Sequence, residues 1–114
     1  MPVVSLVLFL TGALFGIIVW TAVFRNRPTP KGPVYIHGLL VVAAFLILLI
    51  YASRVAGNAP ALAILLFAVA AILGLILYSR DTARKTLPKW LTVIHPLIAI
   101  AGLIALILYV MRAW

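Results

Sequence analysis

Four long apolar stretches, separated by short polar or basic segments, are the feature that most constrains the fold of this chain. They cover residues 3–24, 34–56, 59–78 and 90–111. A helix needs about 20 apolar residues to cross the hydrocarbon core of a bilayer, and each stretch has that length. Backbone groups in lipid need partners within the protein, and the alternation of a membrane β-strand is missing. We therefore predict an all-α integral membrane protein with four spans.

The composition supports the membrane class and excludes several kinds of chemistry. The 114 residues are 68% hydrophobic and only 9% charged, which is too little charge to cover a water-soluble domain. Cysteine is absent, which excludes disulfides, thiolate metal sites and iron–sulfur clusters. Asp81 is the only acidic residue. Paired-carboxylate hydrolysis within one chain is therefore excluded, and a transporter built on a membrane carboxylate is disfavoured.

The basic residues are divided unevenly between the two ends of the spans. Arg54 and Arg112 lie at one end, and the other seven of the nine lie at the opposite end. Those seven are Arg25, Arg27, Lys31, Arg80, Arg84, Lys85 and Lys89. By the positive-inside rule, both termini lie on the non-cytoplasmic side of a bacterial inner membrane. We expect the net charge of +8 to set topology and to contact anionic lipids, with no nucleic-acid partner.

The chain also contains an internal repeat at an offset of 58 residues. Without any gap, 15 of the 56 aligned positions are identical, including both histidines and both Pro-Lys pairs. Apolar composition explains matched leucines, but not matches between these rarer residues. We predict a single membrane domain, 1–114, built from the tandem repeats 1–56 and 59–114, each a helical hairpin. Because each hairpin crosses the membrane twice, the repeats are parallel and together form a four-helix bundle.

Small residues four positions apart recur on three of the predicted spans. Such spacing lets helix backbones approach closely in lipid. The pairs are Gly12 with Gly16, Ala70 with Gly74, and Ala101 with Ala105. Two interpretations fit them, which are packing within one bundle and the contact face of a homodimer.

His37 and His95 occupy equivalent positions in the two repeats, just inside the cytoplasmic ends of spans two and four. Ionisable residues inside a membrane are functional candidates. Two imidazoles at one depth on parallel helices suit the two axial ligands of one b-type haem in the core of a bundle. Two alternatives stay open at this point. The histidines make polar contacts between helices, or they bind another metal, such as zinc held by four histidines of a dimer.

The residues around the two histidines fit a flat apolar cofactor. Ala44 and Gly102 follow their histidines by seven residues, share their helix faces and leave room for a macrocycle. Lys31 and Lys89 precede them near the interface, where we expect them to meet the haem propionates.

Pro96 directly follows His95, and Gly38 takes the equivalent place after His37. Pro96 removes the helical hydrogen bond to the carbonyl of Thr92, so we expect a bend in the fourth span. The two residues either adjust how the imidazoles are aimed or are irregularities tolerated near the interface.

Two tyrosines and two arginines lie near the opposite interface, again at equivalent positions. Tyr51 and Tyr109 follow the histidines by fourteen residues, on the same helix faces, and Arg54 and Arg112 come one turn later. They form either an aromatic belt with snorkelling arginines, or a second site for a quinone headgroup or an anion. A second haem would lack histidine ligands, so we expect one haem per chain.

The segments Ile36–Leu39 and Ile94–Leu97, each containing a histidine, resemble those of small bacterial four-helix membrane b-type cytochromes. Such proteins hold haem b between transmembrane helices through histidine pairs and pass electrons among quinones and other redox partners. The resemblance implies a membrane b-type cytochrome with His37 and His95 as iron ligands. It would act in electron transfer or haem handling, as an electron carrier or subunit rather than a stand-alone enzyme, with a quinone or a redox protein as partner.

Two other function classes are weighed against the cytochrome. The first is a cofactor-free accessory or structural subunit of a larger membrane complex, for example a respiratory one. The second is a small transporter, since four spans of this length resemble the small multidrug antiporters. Those antiporters need a glutamate within the membrane, and no span here contains an acid.

Overall fold

Four α-helices form the part of the chain that the computed structural model describes, which is residues 2–25, 27–55, 57, 59–83 and 85–112. The helices are α1 (Pro2–Phe24), α2 (Lys31–Arg54), α3 (Ala61–Thr82) and α4 (Lys89–Arg112). All four are long and apolar enough to cross a membrane. At 22 to 24 residues, each helix is about 33–36 Å long, slightly more than the hydrocarbon thickness. The prediction of an all-α protein with four membrane-spanning helices is confirmed.

Several helix ends differ from the predicted spans by a few residues. The helix α2 begins at Lys31 rather than at residue 34, and α3 continues to Thr82 rather than ending at residue 78. Hydropathy marks the part of a helix that suits lipid, whereas the backbone hydrogen bonds continue into the polar interface. Gly57 has a φ of +87°, a left-handed conformation that glycine adopts readily, in the predicted turn between α2 and α3. Asn58 and Arg84 lie outside the described residues.

The helices pack mainly as neighbours along the chain, α1 with α2 and α3 with α4, and α1 also contacts α4. The centre of the bundle is closed by Phe9 and Phe67, whose rings stack with centroids 3.8 Å apart and planes 7° apart. Leu48 and Leu106 lie in the same core and are fully buried. Phenyl rings and leucines therefore fill the interior at this level.

The outward faces of the helices are as apolar as the interior. Leu39 is 72% exposed and Leu75 67% exposed, although both are large hydrophobic residues. A protein in water does not leave so much contiguous apolar surface uncovered. In a bilayer such a surface contacts the acyl chains, which agrees with an integral membrane protein.

Candidate functional site

Both histidines are anchored in the same way, each to a backbone carbonyl of the preceding helix. The Nδ1 atom of His37 on α2 lies 2.8 Å from the carbonyl oxygen of Gly12 on α1. The Nδ1 atom of His95 on α4 lies 2.9 Å from the carbonyl oxygen of Ala70 on α3. A carbonyl oxygen only accepts, so Nδ1 carries the hydrogen in both rings. In a neutral imidazole the lone pair then resides on Nε2.

The second ring nitrogen of each histidine is open. Among the described residues, Nε2 of His37 and Nε2 of His95 have no hydrogen-bond partner. Every buried side-chain nitrogen or oxygen of the described residues has a hydrogen-bond partner. Because neither Nε2 atom has one, both must be at least partly accessible at the molecular surface. A neutral imidazole with Nδ1–H bonded to a carbonyl and Nε2 open is the form that ligates iron and other metals.

Gly16 and Gly74 make room for the imidazoles. A Cβ atom at Gly16 would lie 3.0 Å from Cε1 of His37, and one at Gly74 would lie 2.9 Å from Cε1 of His95. From the sequence, these glycines were predicted only to let helices approach closely, within one bundle or at a homodimer face. The signal for their second role is their position, four residues after each carbonyl that accepts from a histidine.

The small residues predicted to leave room for a macrocycle lie in the closed core. Ala44 is fully buried, and its carbonyl accepts a 2.6 Å hydrogen bond from the hydroxyl of Ser5. At Gly102 a Cβ atom would lie 3.1 Å from the ring of Phe67. Since Phe67 takes the space that Gly102 leaves, the candidate site rests on the histidines and their anchors.

The two lysines predicted to meet propionates have different surroundings. Lys31 begins α2, and its Nζ lies 3.4 Å from Oδ2 of Asp81. Lys89 begins α4, is exposed and lines a cavity at the same end of the bundle. Each lysine precedes its histidine by six residues, a rise of about 9 Å along the helix. Both therefore lie between the imidazoles and the interface.

Two imidazoles, each with Nδ1 bonded to a carbonyl and Nε2 open, are the donors that would hold a haem iron. Two cavities of the described residues, one near the basic loops and one beside Tyr51, are lined by other residues. Within the same residues no cluster of three or more histidine, cysteine, aspartate or glutamate side chains occurs. One chain therefore offers a metal two imidazoles there.

The helix α4 continues through Pro96. The carbonyl of Thr92, which Pro96 leaves without its helical hydrogen bond, accepts one from another helix. The indole Nε1 of Trp20 on α1 donates to the carbonyl oxygen of Thr92 at 3.2 Å. Neighbouring helices commonly satisfy carbonyls freed by proline in membrane helices. The freed acceptor was predicted from the sequence, whereas its donor on α1 was not.

The tyrosines of the opposite end contact each other. The hydroxyl oxygens of Tyr51 and Tyr109 lie 2.7 Å apart, with ring centroids 6.2 Å apart. Tyr51 also lines a small cavity of about 170 Å³ together with Arg54. The structure thus joins the two tyrosines across the bundle and places Arg54 beside Tyr51.

Comparisons of the chain with family models, curated proteins and solved structures give no match.

Proposed function

We propose that this chain is an integral membrane b-type cytochrome that holds one haem between His37 and His95. The observation that carries the proposal is the matched pair of hydrogen bonds from Nδ1 of each histidine to a backbone carbonyl. These bonds fix the tautomer and leave both Nε2 lone pairs for iron. When bound, haem supplies one-electron redox chemistry.

The chain contributes the orientation and the surroundings of the ligands. The carbonyls of Gly12 and Ala70 hold the imidazoles by their Nδ1 atoms, and Gly16 and Gly74 provide the space in which the rings lie. A backbone acceptor on Nδ1 also increases the basicity of Nε2. In this proposal the basic residues Lys31 and Lys89 hold the propionates near the interface.

The proposal includes an architecture of two tandem, parallel hairpin repeats. Contacts between residues 58 positions apart support it, since Phe9 stacks on Phe67 and Tyr51 bonds to Tyr109. The two histidine anchors support it as well, because each joins residues 25 positions apart. A pseudo-two-fold axis along the membrane normal relates such repeats.

We place the protein in a bacterial inner membrane, with both termini on the non-cytoplasmic side. The support is the excess of basic residues at the end of the bundle that carries the α1–α2 and α3–α4 loops. The haem then lies towards the cytoplasmic side. A quinone or a redox protein is the proposed electron partner.

The test is an absorption spectrum of the full chain purified in detergent, oxidised and then reduced with dithionite. We expect a sharp Soret band and an α band in the reduced protein, and loss of both bands in His37→Ala and in His95→Ala. Adding free imidazole to the two variants restores part of the spectrum if only the ligand was lost. A folded, colourless protein from cells supplied with ample haem overturns the proposal.

A cofactor-free accessory subunit of a larger membrane complex is the second candidate. The observation that favours it is the filled core, because the side chains of Phe9, Phe67, Leu48 and Leu106 pack against one another there. The histidine bonds then serve as contacts between helices. This candidate is distinguished by stable co-purification with partner subunits and by retention of that association in His37→Ala.

A further inference from the structure

A cavity of about 430 Å³ lies at the end of the bundle where the α1–α2 and α3–α4 loops meet. Three basic side chains line it, those of Arg27, Lys85 and Lys89, all of them exposed. Val23 and Leu87 form apolar parts of the same wall. The cavity therefore combines three cations with an apolar surface.

One carboxylate, that of Asp81, lines the cavity together with the three cations. Asp81 is the only acidic residue in the sequence. Its Oδ2 atom accepts a 2.6 Å hydrogen bond from the hydroxyl of Thr29 and lies 3.4 Å from Nζ of Lys31. Asp81 offsets only one of these charges and is shared with Lys31, so the cavity keeps an excess of positive charge.

The backbone that carries these cations is held by hydrogen bonds. The amide of Lys85 donates to the carbonyl of Arg80 at 2.9 Å, and Nε of Arg80 donates to the carbonyl of Thr86 at 3.0 Å. On the other loop, the amide of Arg27 donates to the carbonyl of Ala22 at 2.9 Å. The cations therefore project from fixed turns, which lowers the entropic cost of gathering them around an anion.

We propose that this cavity binds the phosphate group of an anionic lipid. Its place at the ends of the membrane-spanning helices is the level of the lipid headgroups. Arg27, Lys85 and Lys89 would contact the phosphate oxygens, while Val23 and Leu87 would contact the glycerol and the first methylenes of the acyl chains. Free phosphate matches the cations but leaves the apolar wall unused, so the lipid is the ligand that fits both parts.

The experiment is native mass spectrometry of the full chain in non-ionic detergent. The protein is titrated separately with dioleoyl phosphatidylglycerol, dioleoyl phosphatidylcholine and sodium phosphate. The test variant is the triple Arg27→Gln, Lys85→Gln, Lys89→Gln. The matched control removes three charges elsewhere, with Arg25→Gln, Arg54→Gln and Arg112→Gln. Lys89 is also proposed to hold a haem propionate, so the mass of the complex is used to read bound lipid and bound haem separately.

We expect one phosphatidylglycerol to bind in preference to phosphatidylcholine. In the test variant its affinity falls by about fivefold for each charge removed, and in the control it changes by less than about twofold. Phosphate that binds alone and displaces phosphatidylglycerol from the wild type would show an anion site for a free ion and overturn the lipid assignment. Equal loss of binding in the two triple variants would overturn the site itself.

If the triple variant does not fold, single substitutions of exposed residues can still test the lipid site. Lys85→Gln removes one cation of the cavity, and Arg25→Gln removes one from the same end of the bundle outside it. Weaker binding of phosphatidylglycerol to Lys85→Gln than to Arg25→Gln supports the site. Identical affinities contradict it.

Discussion

The hydroxyl oxygens of Tyr51 and Tyr109 lie 2.7 Å apart, and the two residues are separated by 58 positions in the chain. That separation is the offset at which the two halves of the sequence align. Each hydroxyl forms a hydrogen bond with the other tyrosine. The contact links α2 to α4 near the ends opposite the basic loops.

Removing one hydroxyl from this pair should destabilise the bundle. We expect Tyr51→Phe to lower the free energy of unfolding by about 1 kcal/mol, because the hydroxyl of the partner loses a hydrogen bond. The double variant with Tyr109→Phe should lose less than the sum of the two single losses. Unfolding in mixed micelles with increasing dodecyl sulfate measures these values. Tyr35→Phe, at an exposed tyrosine, is the control and should leave stability unchanged, and additive losses in the pair would contradict the contact.

A methyl group beneath either imidazole should be poorly tolerated. Gly16→Ala and Gly74→Ala place a Cβ atom within 3.0 Å of a histidine ring, so we expect each to cost about 1–3 kcal/mol of stability. Gly38→Ala is the matched control, since Gly38 lies in α2 with nothing within 4 Å of its added Cβ. The same unfolding titration compares them. Gly16→Ala as stable as Gly38→Ala would show that the imidazole does not lie on Gly16.

The indole of Trp20 and the ring of Pro96 should be energetically coupled through the carbonyl of Thr92. Trp20→Phe leaves that carbonyl without its donor, which we expect to cost about 1 kcal/mol. In a Pro96→Ala background the new backbone N–H at position 96 bonds to the same carbonyl, so Trp20→Phe should cost less than half as much. A double-mutant cycle on the free energy of unfolding gives the coupling. Zero coupling would mean that the indole serves only as packing.

The contacts of Asp81 should contribute unequally to stability. The hydroxyl of Thr29, which is 8% exposed, bonds to the carboxylate at 2.6 Å, whereas Lys31 is 56% exposed and lies 3.4 Å away. We expect Thr29→Val to cost about 1 kcal/mol and Lys31→Met less than about 0.5 kcal/mol. Raising the salt concentration should reduce only the effect of Lys31→Met. The reverse order of the two losses would contradict this assignment.

The absence of cysteine from the chain allows a direct test of the proposed topology. We expect Thr86→Cys, in the α3–α4 loop, to resist a membrane-impermeant maleimide in intact bacterial cells and to react after lysis. Ser53→Cys, an exposed position near the end of α2, should react in intact cells. The unsubstituted chain is the control for background labelling. The opposite pattern would invert the topology.

The spans could be predicted from the sequence, but the inward face of each helix could not. Leu39 and Leu48 are the same residue type on α2, yet the first is 72% exposed and the second fully buried. A membrane bundle has lipid outside and apolar side chains inside, so hydrophobicity does not separate the two faces. The interior is instead marked by specific contacts, such as the stacked rings of Phe9 and Phe67.

The candidate site was predicted only where its residues are chemically distinctive. The sequence singles out His37 and His95, because rare ionisable residues at equivalent positions stand out in an apolar chain. Their anchors escaped prediction because both acceptors are backbone carbonyls, which every residue possesses. The room expected beside Gly102 is occupied by Phe67. A small residue in a sequence indicates close packing at that position, but it does not indicate whether a side chain or a cofactor fills the space.

The bond from Trp20 to the carbonyl of Thr92 joins the first helix to the last, across 72 residues of chain. A carbonyl freed by proline and left without a donor lowers the stability of a membrane helix bundle. The ribosome makes α1 before α4, so this bond can form only after the last helix has been synthesised. It therefore belongs to the late steps in which the bundle closes.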